Sequence, residues 1–262
     1  MYPNALFFGI TLYDLFLALG AVAALLLFRI LSDKTHLSAR KTNLALVGGL
    51  CGFGLGLFTA TLLQAFYNYM AGEPFAIVAN TGATFYGGLV GGIAAFLAIY
   101  LGVGARLLPK GEAKASLAEV SSMAACSIAA AHALGRIGCF FAGCCHGVVK
   151  DSVFAVYMPT VGARVLPTQL YEAIFLLALC ALLCFRVLRG KHDGFFLYLT
   201  AYGFFRFFIE YLRGDYRGAS LVSFLTPSQL VALLMVAVGI SYYLFTDQKK
   251  AEQADGDKGE ET

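Results

Sequence analysis

Charged residues are scarce in this chain and make up 13% of its 262 residues, whereas soluble domains have roughly one quarter. This scarcity argues against a soluble domain and against a disordered protein. A nucleic-acid-binding protein is also a poor interpretation, because a net charge of +3 produces no strong electrostatic field. The chain instead has 59% hydrophobic residues, which is typical of a protein that has lipid as its solvent. We therefore expect an integral membrane protein with no nucleic-acid partner.

Seven apolar runs approach the length of about 20 residues that crosses a membrane. They are all-apolar rather than alternating, which predicts helices and not the strands of a β-barrel. Clusters of glycine inside the runs predict closely packed helices, so the fold class is an all-α bundle of about seven transmembrane helices. The runs cover residues 10–31, 44–70, 83–101, 117–134, 170–187, 195–212 and 227–245.

Lysine and arginine collect near alternate loops, as they do on the cytoplasmic side of membrane proteins. This predicts an N-terminus outside the membrane, a C-terminus in the cytoplasm and an odd number of spans. We expect one membrane domain over residues 1–246 and a polar, disordered tail over 247–262. The basic residues are Arg29, Lys34, Arg40 and Lys41, then Arg106, Lys110 and Lys114, then Arg186, Arg189 and Lys191, and finally Lys249, Lys250 and Lys258.

Polar residues at the outer end of the fourth span form the first candidate site, because polar groups in a bilayer are costly without a function or a partner. His132 and Arg136 are four residues apart and share a helix face. An arginine there suits a phosphate, although Arg136 could instead only reach lipid headgroups. Four glycines predict that the helix breaks into a tight loop, namely Gly135, Gly138, Gly143 and Gly147.

The sixth span has a polar stripe on a helix that is otherwise rich in phenylalanine. Glu210 could pair with either of two arginines and leave the other to hold an anion, or the stripe could be a structural ladder of ion pairs. Its members fall on one helix face and are Tyr202, Arg206, Glu210 and Arg213.

Two further segments open spans with proline in the first helical turn, where its missing N–H costs nothing. In the first, Gln169, Tyr171 and Glu172 are expected to face the outer interface. In the second, Thr226 and Gln229 have the spacing of a helix-capping box.

Seven cysteines divide into two groups. Four lie in spans and predict apolar packing, whereas three cluster with His146 at the outer face. Four interpretations of this cluster stay open. It could be a metal site with Cys139, Cys144, Cys145 and His146, or it could contain a disulfide from Cys139 to Cys144. Its cysteines could also be structural thiols, or one of them could be a reactive thiolate. The cysteines in spans are Cys51, Cys126, Cys180 and Cys184.

Four motifs follow one another along the chain. They are FYGGLVG at 85–91, GRIGCFFAGCCHG at 135–147, PTQLYEA at 167–173 and YGFFRFFIEYLR at 202–213. They resemble F-H-G-G-L-I-G, G-R-x-G-N-F-x-N-G-E-x-x-G, P-S-Q-L-Y-E-A and Y-G-x-F-R-F-x-x-E-x-x-R of the prolipoprotein diacylglyceryl transferase family of bacterial plasma membranes. The resemblance extends over nearly the whole chain and includes the arrangement of seven spans.

The resemblance implies transfer of the diacylglyceryl group of phosphatidylglycerol to the lipobox cysteine of a prolipoprotein. Glycerol phosphate is released at the outer face of a membrane that the enzyme crosses several times. Phosphatidylglycerol, the prolipoprotein segment and membrane lipids are the implied partners, and no cofactor is implied. The implied catalytic residues are Arg206, His132, Tyr86, Tyr202 and Glu210, and the implied substrate-binding residues are Arg136, Arg213, Gln169, Gly143 and Gly147.

The chain departs from the family pattern at four positions. Tyr86 stands in place of the histidine, Cys139 and Ala142 in place of two asparagines, and Cys144 in place of the glutamate. Tyrosine, with a pKa of about 10, is a poor base, so His132 or His146 would have to replace the missing histidine. The alternative hypothesis is a paralogue with metal or thiol chemistry at the cysteine cluster.

Overall fold

The computed structural model describes residues 9–70, 72–78, 81, 84–215 and 224–260, without side chains at 85–86 and 247–260. The helices are α1 Leu12–Lys34, α2 Ala39–Met70, α3 Phe85–Leu97, α4 Gly104–Leu107, α5 Glu112–Ala115, α6 Leu117–Ala142, α7 Thr168–Leu188, α8 Gly194–Ile209 and α9 Pro227–Glu260. A π-helical segment, Ala98–Val103, joins α3 to α4, and a 3-10 turn, Glu210–Leu212, continues α8.

Six stretches of helix in the described part of the chain are long and apolar enough to cross a membrane. Large apolar side chains point out of them, such as Val90 at 69% exposure and Ile174 at 66%, as expected where lipid is the solvent. The all-α, multi-pass membrane fold is therefore confirmed. The remaining predicted span, 195–212, coincides with the 16 residues of α8 and its 3-10 turn, and the count of seven, like the orientation, stays a prediction.

Helix α6 corrects the expected end of the fourth span. It continues through Gly135 and Gly138 to Ala142, so these two glycines do not break the helix. Gly138 instead lies against α1, where an added Cβ would be 3.1 Å from the Cβ of Phe16. The helix ends one turn later at Gly143, which has a φ of +72° and begins the loop.

The chain divides into two compact units, and the unit Ser32–Val120 contains α2 to α5. Glycines bring the backbones of α2 and α3 into contact, because a Cβ on Gly52 or Gly56 would be 2.9 Å from a carbonyl oxygen of α3. Thr59 Oγ1 also donates to the carbonyl oxygen of Gly87 at 2.8 Å. The prediction of close packing through small residues is confirmed for this pair.

The other unit, Met1–Leu31 with Ser121–Thr262, contains every element around the candidate site described below. Stacked aromatic rings join its helices. The ring centroids of Phe175 of α7 and Phe205 of α8 lie 4.1 Å apart, and those of Phe196 of α8 and Tyr242 of α9 lie 3.8 Å apart. An added Cβ on Gly203 of α8 would be 2.9 Å from a carbonyl oxygen of α9. Helix α8 thereby packs against both α7 and α9.

A small antiparallel sheet stands between α6 and α7. Strands β1 Val156–Met158 and β2 Ala163–Val165 pair in this loop, and the sequence did not predict them because three residues are too few for a visible alternation. The backbone of α9 is helical as far as Glu260. The domain boundary at residue 247 and the disordered tail stay predictions.

Candidate active site

Glu172 is the centre of a buried polar network. It lies in the second turn of α7 and is fully buried. Tyr202 donates its hydroxyl to Oε1 at 2.6 Å, Arg136 Nε lies 3.1 Å from Oε2, and His132 Nε2 lies 3.7 Å from Oε1. A buried carboxylate is stable only with such partners, so three of the predicted site residues are held by one anion.

Helix periodicity explains why these side chains meet. His132 and Arg136 lie four apart on α6, as predicted, and both approach the same carboxylate. Gln169 and Glu172 lie three apart on α7 and are both 0% exposed. The expectation that these two face the outer interface is wrong, because they face the interior of the protein.

The stripe on α8 contains the predicted pairing of Glu210 with an arginine. Arg206 Nη2 lies 2.7 Å from Glu210 Oε2 and donates to Ser228 Oγ at 3.0 Å. The other oxygen, Glu210 Oε1, accepts a hydrogen bond from Thr226 at 3.0 Å. Glu210 therefore pairs chiefly with Arg206 and not with Arg213, whose Nε is 4.0 Å away.

Arg213 has a partner that the sequence did not reveal. Its Nε and Nη2 donate to the two carboxylate oxygens of Asp215 at 2.9 and 3.1 Å, a fork that fixes the guanidinium plane. Burial opposes the charged form, but the hydrogen bonds and charge of Asp215 raise the pKa of Arg213 above its usual value. Arg213 thus stays charged while it is buried.

Arg206 and Arg213 each have one guanidinium nitrogen without a hydrogen-bond partner among the described residues. Arg206 Nη1 and Arg213 Nη1 are buried and form no hydrogen bond there, although each arginine is paired through its other nitrogens. Both arginines approach the same oxygen of Glu210, so they lie close together. Paired donors of this kind suit an anion with several oxygens, such as a phosphate.

The loop after α6 is fastened to both α7 and the end of α8. Gly147 donates its N–H to the carbonyl oxygen of Leu166 at 2.8 Å, and its backbone forms an antiparallel β-bridge with that of Arg213. A Cβ on Gly147 would lie 2.6 Å from the carbonyl oxygen of Leu212, and a Cβ on Gly143 would lie 2.5 Å from Thr160 Oγ1. Close packing accounts for both glycines, and their role in substrate binding stays a prediction.

Three thiols gather where α6 ends and this loop begins. The sulfur atoms of Cys139, Cys144 and Cys145 all lie within 4.8 Å of one another, and all seven cysteines, each of them described, are free of disulfides. The predicted fourth member, His146, is not in this group, and its Nδ1 lies 2.9 Å from the carbonyl oxygen of Gly147. The disulfide between Cys139 and Cys144, one of the alternatives left open by the sequence, is therefore not formed.

Two of the predicted catalytic residues, His132 and Tyr86, are described by the structure to different extents. His132 Nδ1 lies 3.3 Å from the hydroxyl oxygen of Tyr198. The rings of His132 and Tyr202 pack edge to face, with their centroids 4.9 Å apart. Tyr86 lies in the first turn of α3 in the other unit, and its side chain lies outside the described residues. Its catalytic role stays a prediction.

Comparison with known proteins identifies the family. A family model described as prolipoprotein diacylglyceryl transferase matches residues 3–245. The chain belongs to the prolipoprotein diacylglyceryl transferase family. The resemblance found in the motifs is confirmed, and with it the assignment to a family of transferases.

Individual members of the family are similar over most of their length. Phosphatidylglycerol–prolipoprotein diacylglyceryl transferase 2 of Clostridium perfringens is 29% identical over 251 residues, which cover 90% of this chain and 91% of the relative. The Clostridium tetani transferase is 30% identical, with coverages of 89% and 92%. That of Streptococcus pneumoniae is 33% identical over 77% of this chain and 78% of the relative.

The roles of three residues in the candidate site were not predicted from the sequence. Glu172 was recognised in its motif but not as the central anion, and only burial distinguishes it. Ser228 and Asp215 carry no motif signal, because each acts through a hydrogen bond formed across the fold or just beyond a helix end. The capping box of Thr226 and Gln229 is confirmed by reciprocal hydrogen bonds of 3.2 and 3.0 Å.

Proposed function

We propose that this protein transfers the diacylglyceryl group of phosphatidylglycerol to the lipobox cysteine thiol of prolipoproteins at the outer face of the bacterial plasma membrane. The observation that carries the proposal is the pair of buried, partly unpartnered arginines, Arg206 and Arg213, beside Glu210. The names of the similar proteins supply the lipid and the acceptor.

The proposed reaction needs positive charge where the phosphate leaves. The acceptor thiol loses its proton, its sulfur forms a bond to the terminal glyceryl carbon, and the bond from that carbon to the phosphate oxygen breaks. The electron pair stays on the glycerol phosphate, which gains one negative charge. Arg206 Nη1 and Arg213 Nη1 are donors that could bind this developing charge without first breaking another hydrogen bond.

The substrate headgroup has further partners in this proposal. Arg136, on α6, binds the phosphate. The Oε2 of Glu172 lies 3.1 Å from Arg136 Nε and orients the guanidinium. Gln169 donates to the carbonyl oxygen of Cys144, and its buried Oε1 has no partner among the described residues. This oxygen suits a hydroxyl group of the glycerol headgroup, while Gly143 and Gly147 shape the adjoining loop.

His132 is the proposed acceptor of the thiol proton. Its ring stands between the hydroxyl of Tyr198 and the carboxylate of Glu172, and the carboxylate stabilises the positive charge that the ring would gain. Tyr202 and Glu210 support the reaction through Glu172 and Arg206 respectively. Tyr86, at the position of the family histidine, stays a predicted catalytic residue that rests on the resemblance alone.

The test uses the full-length protein, purified in a mild detergent, with phosphatidylglycerol and a lipobox peptide. Mass spectrometry should show a peptide heavier by one diacylglyceryl group, and a peptide with serine in place of cysteine should stay unmodified. Arg136→Ala should abolish the product. Arg189→Ala is the matched control, because Arg189 is exposed and contacts the ring of Phe185.

The outcome separates the proposal from other chemistry on the same scaffold. If an authentic member of the family modifies the peptide under these conditions and this protein does not, the proposal is wrong. Equal activity of Arg136→Ala and Arg189→Ala would leave the transferase activity standing but remove the proposed headgroup contact.

A further inference from the structure

The three thiols at Cys139, Cys144 and Cys145 are nearly spaced as metal ligands. Their sulfur atoms lie within 4.8 Å of one another, whereas zinc–sulfur bonds of about 2.3 Å place tetrahedral ligands about 3.8 Å apart. The widest pair must therefore close by at most about 1 Å, which rotation of the side chains can supply. Cys145 lies in the loop after α6 and Cys144 is exposed, so an ion can reach the group from outside the protein.

The backbone that carries the thiols is held in place by the protein. Cys144 donates its N–H to the carbonyl oxygen of Cys139 at 3.2 Å and closes the end of α6 around Gly143. Thr168 donates to the carbonyl oxygen of Cys145 at 3.1 Å, and Gln169 donates to that of Cys144 at 2.5 Å. Both loop cysteines are thus fastened from α7.

Cys145 has a backbone conformation that L residues with a side chain rarely adopt. Its φ is +62°, in the left-handed region where a residue other than glycine is uncommon. Neighbouring side chains in extended backbone point to opposite faces, and this left-handed residue interrupts that pattern. As a result, two consecutive cysteines and one from the preceding helix turn share one location.

We infer that Cys139, Cys144 and Cys145 bind one zinc ion through three thiolates and leave its fourth position open to water or to another thiolate. Thiolates select soft or borderline ions such as zinc, and three protein ligands with one open position are typical of catalytic zinc sites. The family resemblance implied no cofactor, so this ion would be a property of this chain.

The chemistry of binding is balanced without any oxidant or reductant. Each thiol loses its proton to solvent as its sulfur bonds the ion, so three protons are released for each zinc bound. The complex then carries one negative charge. Arg136 lies three residues before Cys139 on α6, where its guanidinium offsets that charge.

The test is metal analysis of the full-length protein purified in mild detergent without chelators. Inductively coupled plasma mass spectrometry should find one zinc ion per chain. Cys139→Ser and Cys144→Ser should each weaken zinc binding at least tenfold in a competition titration, whereas Cys51→Ser should not, because Cys51 lies on α2 in the other unit. Elution volume and far-ultraviolet circular dichroism check that each variant is folded.

A second readout needs no variant. Cobalt added to the metal-free wild-type protein should give thiolate-to-cobalt charge-transfer bands and the visible spectrum of a tetrahedral site. No stoichiometric metal, a different metal at this stoichiometry, a disulfide among the three cysteines, or cobalt bands without thiolate character would each overturn the inference. None of these readouts depends on transferase activity, so failure of the proposed function would leave the zinc inference to be decided separately.

Discussion

The side chain of Arg206 offers the sharpest test of how the arginines are used. Arg206 Nη2 pairs with Glu210 at 2.7 Å and with Ser228 at 3.0 Å, while the buried Nη1 has no partner in the described part of the chain. Lysine at this position can keep the ion pair with Glu210 but cannot also supply a donor where Nη1 stands. Arg206→Lys therefore removes one donor while it retains the charge.

The expected loss follows from the strength of one charge-assisted hydrogen bond. Such a bond contributes about 1.5–3 kcal/mol, and about 1.4 kcal/mol corresponds to a factor of ten. We expect kcat/KM for Arg206→Lys to fall roughly 10- to 150-fold, measured from initial rates of peptide modification in mixed micelles of phosphatidylglycerol. The elution profile should stay unchanged, since the pair with Glu210 remains.

Arg186→Lys is the matched control for this measurement. Arg186 also pairs with a carboxylate, Asp193, at 2.6 Å and has a buried N–H without a partner among the described residues. It lies 14 residues after Glu172 on the same helix, or about 21 Å along the axis. Activity of Arg206→Lys within twofold of wild type, or an equal loss in Arg186→Lys, would refute the proposed role of Nη1.

Three further predictions concern stability. Tyr202→Phe leaves the buried Glu172 without its hydroxyl donor, so the free energy of unfolding should fall by about 1.5–3 kcal/mol in a detergent titration; an unchanged value would contradict this network. Gly147→Ala should lower the yield of folded protein, because its Cβ would lie 2.6 Å from a carbonyl oxygen, whereas Gly135→Ala, with open space there, should not. Thr226→Ala removes both the cap of α9 and the hydroxyl donor to Glu210 Oε1, so it should cost more than the roughly 1 kcal/mol of a helix cap alone, and no loss by thermal denaturation would refute both contacts.

Much of the fold could be predicted from sequence because lipid imposes simple requirements. A span must be long, apolar and helical, so residues 117–134 and 170–187 were recognisable from composition alone. Close packing of helices through glycines such as Gly52 and Gly56 was also predictable, although the sequence did not show that α3 would be the partner of α2.

The end of α6 shows where local signals fail. Gly135 and Gly138 can break a helix or let another helix approach, and the sequence does not distinguish the two uses. Contact with α1 decides it for Gly138, and that contact joins residues more than 100 positions apart. Only Gly143, with its positive φ, ends the helix.

The candidate site was predicted as three separate polar segments and not as a network that joins them. Spacing placed His132 with Arg136 and Arg206 with Glu210, because residues four apart share a helix face. It could not reveal that Glu172 joins the first segment to Tyr202 of α8, nor that Asp215 is the chief partner of Arg213. Those pairings depend on how helices pack and on the turn after α8.

The central claim is that this protein moves a diacylglyceryl group from phosphatidylglycerol to a cysteine thiol. The most direct measurement follows phosphatidylglycerol with separate labels in the diacylglyceryl group and in the headgroup while the lipobox peptide is modified. We predict that thioether-linked diacylglyceryl peptide and glycerol phosphate appear in equal amounts and at the same rate. Release of glycerol phosphate without peptide modification, or modification that retains the headgroup label, would contradict the account.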